Sequence, residues 1–514
     1  MIAYISRRLG ALLVILLGSS FLLYNLESLS GDPTEDLRLS QDPKAKYELI
    51  QLIRQLDLNT PAPIRYFKWL KGLLGVFTGN INFGMTRDMH PVTEQLAGAI
   101  PTTLRLVTGS ALLALVLGLM LGIVTALRQY SRFDYVVTFF SFLMFSLPIF
   151  WVAVLLKEFM AIRFNDFLGH AQIGITWIIA FSLIAAVFWA GVIAKESKRF
   201  IQIFAGVFLA NFALLEFLNA IKWIQNPRLG PVVVLLGSIG IAYGVTALST
   251  GLENKSALKA SLVMAGITTA LYYPLNWIFK KHSSGLLIFV LALLTVATAA
   301  MVGLALAKID RGPVIRTTVI SSLIMGFLIF LDRLMQSWKE YLTQDGVYGR
   351  PIPTVGQSDP LLSSTDFWIN TMDRFTHIIL PTVALTLISF AGYVRFSRGT
   401  MLEVLNQDYI RTARAKGLNE RTVVMRHAFR NTLIPISTIV VVDLAGVIGG
   451  AIITERVFGW HGMGTLFNQA IRSFDLNLLM GVFFVTATLS VLANLIADLL
   501  YTALDPRIRI GGGK

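Results

Sequence analysis

Apolar residues fall in long unbroken runs along this chain, not in the alternation of strands or the single stripes of soluble helices. The first runs from Leu9 to about Leu29, behind Arg7 and Arg8, with no small-x-small cleavage site before Ser30-Gly31-Asp32-Pro33. It reads as a retained membrane span (1–29) with a cytoplasmic N-terminus. Residues 30–100 are polar, with eight Lys/Arg balanced by eight Asp/Glu, and read as an external domain with helical spacing over Tyr47–Leu56 and Ile64–Leu74. Pro101-Thr102-Thr103 opens a second span to about Leu127. A link carrying Arg128 and Arg132 turns it, and a third span runs from about Tyr135 to Met160 (101–160 together). Six further apolar blocks follow near 171–194, 200–223, 230–250, 258–279, 285–307 and 314–335. Their alternate linkers carry eight basic residues on one side (Lys195, Lys198, Arg199, Lys255, Lys259, Lys308, Arg311, Arg316) and six on the other (Lys157, Arg163, Lys222, Arg228, Lys280, Lys281). That sign fits a cytoplasmic first group. A polar external loop occupies 346–375, and the last spans lie near 376–394, 433–454 and 478–503. The pattern predicts an all-α integral membrane protein of about twelve spans.

Composition agrees. With 55% hydrophobic and 14% charged residues and a mean hydropathy of +0.66, 514 residues do not make several soluble domains. The long runs equally exclude a β-barrel, whose strands alternate. The net charge of +14 follows from basic cytoplasmic loops and does not imply nucleic acid as a partner. Cys 0 removes disulfides, thiol nucleophiles and thiolate metal sites, and the six His are too far apart in sequence for a helical metal pair. No G-x-x-x-x-G-K-[ST] loop exists, and Gly511-Gly512-Gly513-Lys514 has neither its spacing nor a following helix. The chain is expected to bind no cofactor or metal and not to be an enzyme, since no nucleophile–base cluster is legible either.

The most charged stretch is 395–430, with eight Lys/Arg and three Asp/Glu. At about 2.5 kcal/mol or more per charge, burying all of them in hydrocarbon would cost roughly 28 kcal/mol, so the loop lies outside the bilayer, and its basic excess places it in the cytoplasm. Leu402, Leu405, Tyr409 and Ala413 recur at helical spacing and stop at Gly417, a C′ residue; Asn419 then caps a second short helix to about Phe429. An ordinary solvated amphipathic loop has the same composition. A DNA-reading helix-turn-helix does not fit, because both ends are tied to membrane spans.

Asp408-Tyr409-Ile410-Arg411-Thr412-Ala413-Arg414-Ala415-Lys416-Gly417 and Arg426-His427-Ala428-Phe429-Arg430-Asn431-Thr432-Leu433-Ile434-Pro435 resemble the cytoplasmic EAA coupling loop of ABC importer permeases, in its dipeptide/oligopeptide form. Arg411 and Thr412 replace the Glu and first Ala of the general motif, and His427, Phe429 and Arg430 its Ile, Leu and Pro. Ile5-Ser6-Arg7-Arg8-Leu9 through Gly31-Asp32-Pro33, Leu56-Asp57-Leu58 to Trp69-Leu70, Leu380-Pro381-Thr382 through Ser397-Arg398, Gly449-Gly450-Ala451 to Glu455, Val457 to Gly464, and Asn494-Leu495 to Asp505-Pro506-Arg507 resemble the same family. The likeness covers roughly 1–160 and 350–510. Residues 165–345 have no counterpart and read as an inserted bundle of about six spans in the external loop of a six-span permease core, which resumes over 376–510.

The resemblance implies a permease subunit in the bacterial cytoplasmic (inner) membrane, paired with a second homologous permease. It implies two ATP-binding cassette ATPase subunits that carry the ATP and Mg, an external substrate-binding protein, and membrane lipid around the spans. ATPase coupling would rest on the 403–430 loop, through Tyr409, Arg411, Thr412, Ala413, Arg414, Ala415, Lys416, Gly417, His427 and Arg430. Small Ala413, Ala415 and Gly417 would admit a close-packed partner surface, and the cations would meet acidic rims. Glu455, Phe458, Trp460, Gly462 and Gly464 are candidates for an external gate. Peptides are the implied cargo, with nickel and other small solutes carried by close relatives. A twelve-span ion-coupled secondary transporter is the alternative; it calls for embedded acids and two similar halves, and offers only scattered residues such as Glu216 and Asp443. In the insertion, Asn211 and Glu216 trace no connected ion path.

Overall fold

The computed structural model describes residues 2–75, 79–194, 197–307, 311–362 and 364–504, except for the side chains of 2–5, 197, 438, 441–450 and 497–504. Lys195, Lys308, Asp505-Pro506-Arg507, the terminal Gly511–Lys514 run and the side chains of Asp443, Gly449 and Gly450 lie outside the described set. Among the described residues there is no strand, only an isolated bridge between Met85 and Pro91. The chain divides into two compact units, Met1–Glu158 with Thr354–Gln357 and Ile378–Lys514, and Phe159–Pro353 with Ser358–His377.

The first unit opens with α1 (Ile2–Ser30), α2 (Glu35–Leu39), α3 (Ala45–Gln55) and α4 (Ala62–Leu73). The polar segment does not stand apart as a domain. Tyr66 and Trp69 of α4 are buried beside Tyr24 of α1 and Phe484, and the Tyr66 hydroxyl meets Ser20 Oγ at 2.8 Å. The next helix, α5 (Val92–Leu127), starts nine residues before the predicted opening and carries Pro101 inside it. A proline costs one backbone hydrogen bond, which a helix that packs on neighbours over 36 residues tolerates.

The predicted third span is two helices, α6 (Arg132–Ser146) and α7 (Ile149–Leu156), continuing through a π-helical turn (Lys157–Ile162) into α8 (Arg163–Leu168) and bent by 103°. Pro148 accounts for the break, since it disfavours helical geometry at Leu147, whose ψ is 130°.

The second unit holds α9 (Ile175–Ile193), α10 (Ser197–Ala220), α11 (Gly230–Ser249), α12 (Lys255–Ala270), α13 (Tyr272–Lys281), α14 (Gly285–Leu306), α15 (Arg311–Gln336) and α16 (Trp338–Leu342). The span predicted at 258–279 is again broken, α12 and α13 being bent by 49°. Helices α11, α12 and α15 pack through small and hydroxylated residues. Ser238, Ala242 and Thr246 recur every four positions on α11, Ser249 bonds Thr317 at 2.8 Å, and Ser261 bonds Ser321 at 3.3 Å. A polar centre not anticipated from the sequence also lies here. The buried Asp332 carboxylate accepts the N–H groups of Leu229 (2.6 Å) and Gly230 (3.2 Å), the Tyr272 hydroxyl (2.7 Å) and Gln336 Nε2 (2.8 Å), closing the N-terminus of α11.

The chain continues as α17 (Phe367–Leu405), α18 (Asp408–Ala415), α19 (Glu420–Thr422), α20 (Phe429–Phe458), α21 (Met463–Arg472) and α22 (Leu476–Leu504). In the first unit α22 packs on α1, α20 and α5. Among the described residues nine helices are long and apolar enough to cross a membrane, or eleven with each bent pair as one span, against the twelve expected. Helix α20, at 30 residues, has the length of a further span. The chain is an all-α, multi-pass membrane protein.

Candidate functional site

The charged loop is an ordered surface element. Gln407, at φ −70° and ψ 148°, breaks the predicted continuous helix, so Leu402 and Leu405 close α17 while Tyr409 and Ala413 belong to α18. Helix α18 ends in a Schellman motif: Gly417 has φ +76°, its N–H donates to Arg414 O (2.9 Å), and Leu418 N–H reaches Ala413 O (3.4 Å). Asn419 Oδ1 then accepts Thr422 N–H at 2.8 Å, as a cap should. The second helix is not a separate piece, however. Glu420–Thr422 passes through a π-helical stretch (Val423–Ala428) directly into α20.

Ala413 does not face outward as the sequence implied. With Ile410 it is buried against Met401, Val423, Val424, Ala428 and Ala126 of α5, because those apolar groups fill the inward face of a helix only eight residues long. The exposed face carries Tyr409, Arg411, Thr412, Arg414, Ala415 and Lys416, with Gly417 and Arg430 exposed beyond it and His427 half-buried. Arg414 forks onto Glu420 (2.6 and 3.2 Å), and Asn431 Nδ2 donates to the Tyr409 hydroxyl (2.9 Å), tying α18 to α20. The guanidinium beside it holds the Glu420 carboxyl below its ordinary value.

Beneath this loop sits a pair that the sequence reading missed. Asp134 on α6 is buried and takes both Arg398 Nε and Nη2 at 2.9 Å, together with Tyr130 N–H (3.0 Å) and the Thr138 hydroxyl (3.2 Å). Ser131 caps α6 by accepting Asp134 N–H at 3.2 Å. A Ser three residues ahead of an acid marks such a helix start and was the available signal. The pair ties α6 to α17 just before the charged loop.

At the far end of α20 the proposed gate residues form a clamp. Glu455 is fully buried; its Oε1 accepts Thr103 Oγ1 (2.6 Å) and its Oε2 accepts Thr465 N–H (2.9 Å). Thr103 Oγ1 in turn accepts Met463 N–H (2.8 Å), so α5 and α20 together hold the N-terminus of α21. Phe458 and Trp460 are buried, Lys157 donates to Val457 O (2.9 Å), and Gly356 N–H donates to Phe458 O (2.9 Å). A Cβ at Gly462 would run into the Glu455 and Thr103 side chains, and one at Gly464 into Ile452. Beside the clamp lies a cleft of about 430 Å³ lined by Arg87, Arg456, Arg472, Asn468 and Gln469. Arg87 is ion-paired with Asp36 (3.0 Å), and its N–H is taken by Asp475 Oδ2 (2.6 Å), whose Oδ1 accepts Leu478 N–H at the start of α22. No group of three or more His, Cys, Asp or Glu suited to a metal ion occurs among the described residues.

Residues 262–510 match the model of a family described as the binding-protein-dependent transport system inner membrane component. The oligopeptide transport system permease protein OppB of Mycobacterium tuberculosis is 43% identical over 143 residues, which are 28% of this chain and 44% of that protein. The dipeptide transport system permease protein DppB of Escherichia coli is 43% identical over 140 residues, 27% of this chain and 41% of its own length. These alignments therefore span less than half of either relative. The oligopeptide permease AppB of Bacillus subtilis aligns over 510 residues, 99% of both chains, at 24% identity. As 143 residues make 44% of OppB, that protein is about 325 residues long, some 190 shorter than this chain.

Proposed function

We propose that this chain, whose residues 262–510 match the binding-protein-dependent transport system inner membrane component family, is a permease subunit of an ATP-driven peptide importer of the bacterial cytoplasmic membrane. On this reading it pairs with a second permease, receives cargo from an external binding protein, and is driven by two ATPase subunits that hold ATP and Mg. Helix α18 is the part of this chain that those subunits move.

The observation that carries the reading is the construction of α18. A free surface helix of eight residues is not stable in water, yet this one is riveted inward by Ile410 and Ala413 and stopped by Gly417. Its outward face presents the cations Arg411, Arg414 and Lys416 beside Tyr409, Thr412 and the small Ala415. A push on that face passes through Met401 and Ala428 to α17 and α20, and through Ala126 to α5, all of which extend into the apolar body of the first unit. Closure of the ATPases on ATP would thereby open the pathway outward, and hydrolysis would reset it.

Peptide cargo is supported by the cleft beside the clamp. Arg456 and Arg472 have no ion-pair partner among the described residues and suit the terminal carboxylate of a peptide. On this reading the loop from Phe458 to Gly464, held by the buried clamp, walls the outer end of the pathway. On this reading the roughly 190 residues by which this chain exceeds OppB are an insertion within 165–345, of which the family match covers 262–345. The test is peptide-stimulated ATP hydrolysis by the reconstituted complex. Abolition by Gly417→Pro, with the variant still inserted in the membrane, supports the reading, and unaltered activity refutes it.

A further inference from the structure

The second unit carries a groove for which the transport reading has no use. Pro274 lacks the N–H that would bond the Ala270 carbonyl, and the helix breaks there into α12 and α13. Beside the bend, between α13, α14 and α15, lies a groove of about 620 Å³. It runs from Phe279 and Ile288 at one end to Leu271 and Thr298 at the other, roughly 15 Å along α14 at about 1.5 Å per residue. Its hydroxyls are already committed: Thr295 donates to Leu291 O (2.8 Å) and Thr298 to Leu294 O (2.9 Å). The groove therefore offers hydrocarbon and no hydrogen bond, which fits an acyl chain and not a polar solute.

The end at Phe279 is of the opposite character. The last turn of α13 holds Lys280 and Lys281, both exposed and neither ion-paired among the described residues. Lys281 Nζ lies 5.3 Å from the Trp277 ring, and Trp277 and Tyr273 are 63% and 70% exposed, as aromatic side chains at a bilayer interface are. Asp366, two residues from the Trp368 that packs on Phe279, turns its Oδ1 to the N–H groups of Trp368 and Ile369, leaving the cations unopposed by it. An apolar slot about a dozen carbons deep, opening under two lysines at the interface, complements one kind of molecule.

We propose that this groove is a binding site for a single anionic phospholipid, with an acyl chain along α14 and the phosphate at Lys280 and Lys281. Nothing in this site depends on the transport assignment. The bent helix makes the slot, and the basic last turn selects the head group.

The test is native mass spectrometry of the full chain in its complex, purified and offered phosphatidylglycerol or phosphatidylcholine with matched acyl chains. One phosphatidylglycerol should be retained per chain in preference to phosphatidylcholine. Thr295→Trp, which fills the groove, should abolish retention of both. Lys280→Gln with Lys281→Gln should keep a lipid but lower the preference for phosphatidylglycerol by about 5-fold per lysine. If Thr295→Trp lowers the yield of folded protein, Leu291→Phe provides the same reading with a smaller added volume. Equal retention of the two lipids by the unmodified chain, or undiminished phosphatidylglycerol in a folded groove-filled variant, would overturn the site.

Discussion

Thr103 and Glu455 are 352 residues apart in sequence, and the Thr103 hydroxyl donates to the buried Glu455 carboxylate at 2.6 Å. The same oxygen accepts Met463 N–H, so one threonine joins α5, α20 and α21. Glu455→Ala leaves the Thr465 N–H and the Thr103 hydroxyl without their acceptor inside the protein, a cost of about 2–4 kcal/mol. Thermal unfolding of purified Glu455→Ala, Thr103→Val and the double variant should show strong non-additivity. Independent, additive losses would mean that the two residues do not act as one clamp.

Asp134 is buried and Arg398 only partly so, which makes the pair asymmetric. Arg398→Ala strands a carboxylate and should cost about 2–4 kcal/mol, whereas removing both charges should cost less than removing the arginine alone. Melting of the three variants in detergent checks the order. A double variant less stable than Arg398→Ala would contradict it.

The cleft lined by Arg456 and Arg472 predicts a dependence on cargo charge. Arg456→Gln and Arg472→Gln should each raise the KM for a peptide with a free C-terminal carboxylate by about 5-fold, the equivalent of about 1 kcal/mol for a solvated ion pair. A C-terminally amidated peptide should be indifferent to both. Equal effects on the two peptides would remove the carboxylate assignment.

The Arg414–Glu420 pair sets an acid limit on the stability of the charged loop. Since the folded carboxyl is held below its ordinary value of 4.5, the pair stabilises the loop above that pH and loses its effect as pH falls through the lowered value. Both side chains are about half exposed, so the contribution is under about 1 kcal/mol. ATPase coupling should therefore show no loss assignable to this pair between pH 6 and 8, and Glu420→Gln should leave the profile there unchanged. A new inflection in that window would contradict the assignment.

Much of this was legible in the sequence. Long apolar runs located most of the spanning helices within a few residues, and Gly417 and Asn419 announced the turn after α18 through their local chemistry. Proline was the ambiguous signal. Pro101 lies inside α5 without ending it, whereas Pro148 and Pro274 each stand at a sharp bend, and neighbours decide between these outcomes. Ala413 was read as outward because its small size suits a docked partner. Size does not tell a helix's outer face from an inner face closed against Met401 and Ala428. Asp134–Arg398 and Thr103–Glu455 were out of reach for a different reason: each joins residues more than 260 positions apart, and no local pattern pairs them.

The central claim is that α18 receives the ATPases. Ala415→Trp discriminates most directly, because Ala415 is exposed and, unlike Ala413, takes no part in the internal packing of the loop. In the reconstituted complex this variant should keep its melting temperature and membrane insertion but lose peptide-stimulated ATP hydrolysis by at least about 10-fold, since added volume at a close-packed interface costs about 1–3 kcal/mol or more. Full stimulation by Ala415→Trp would contradict the claim.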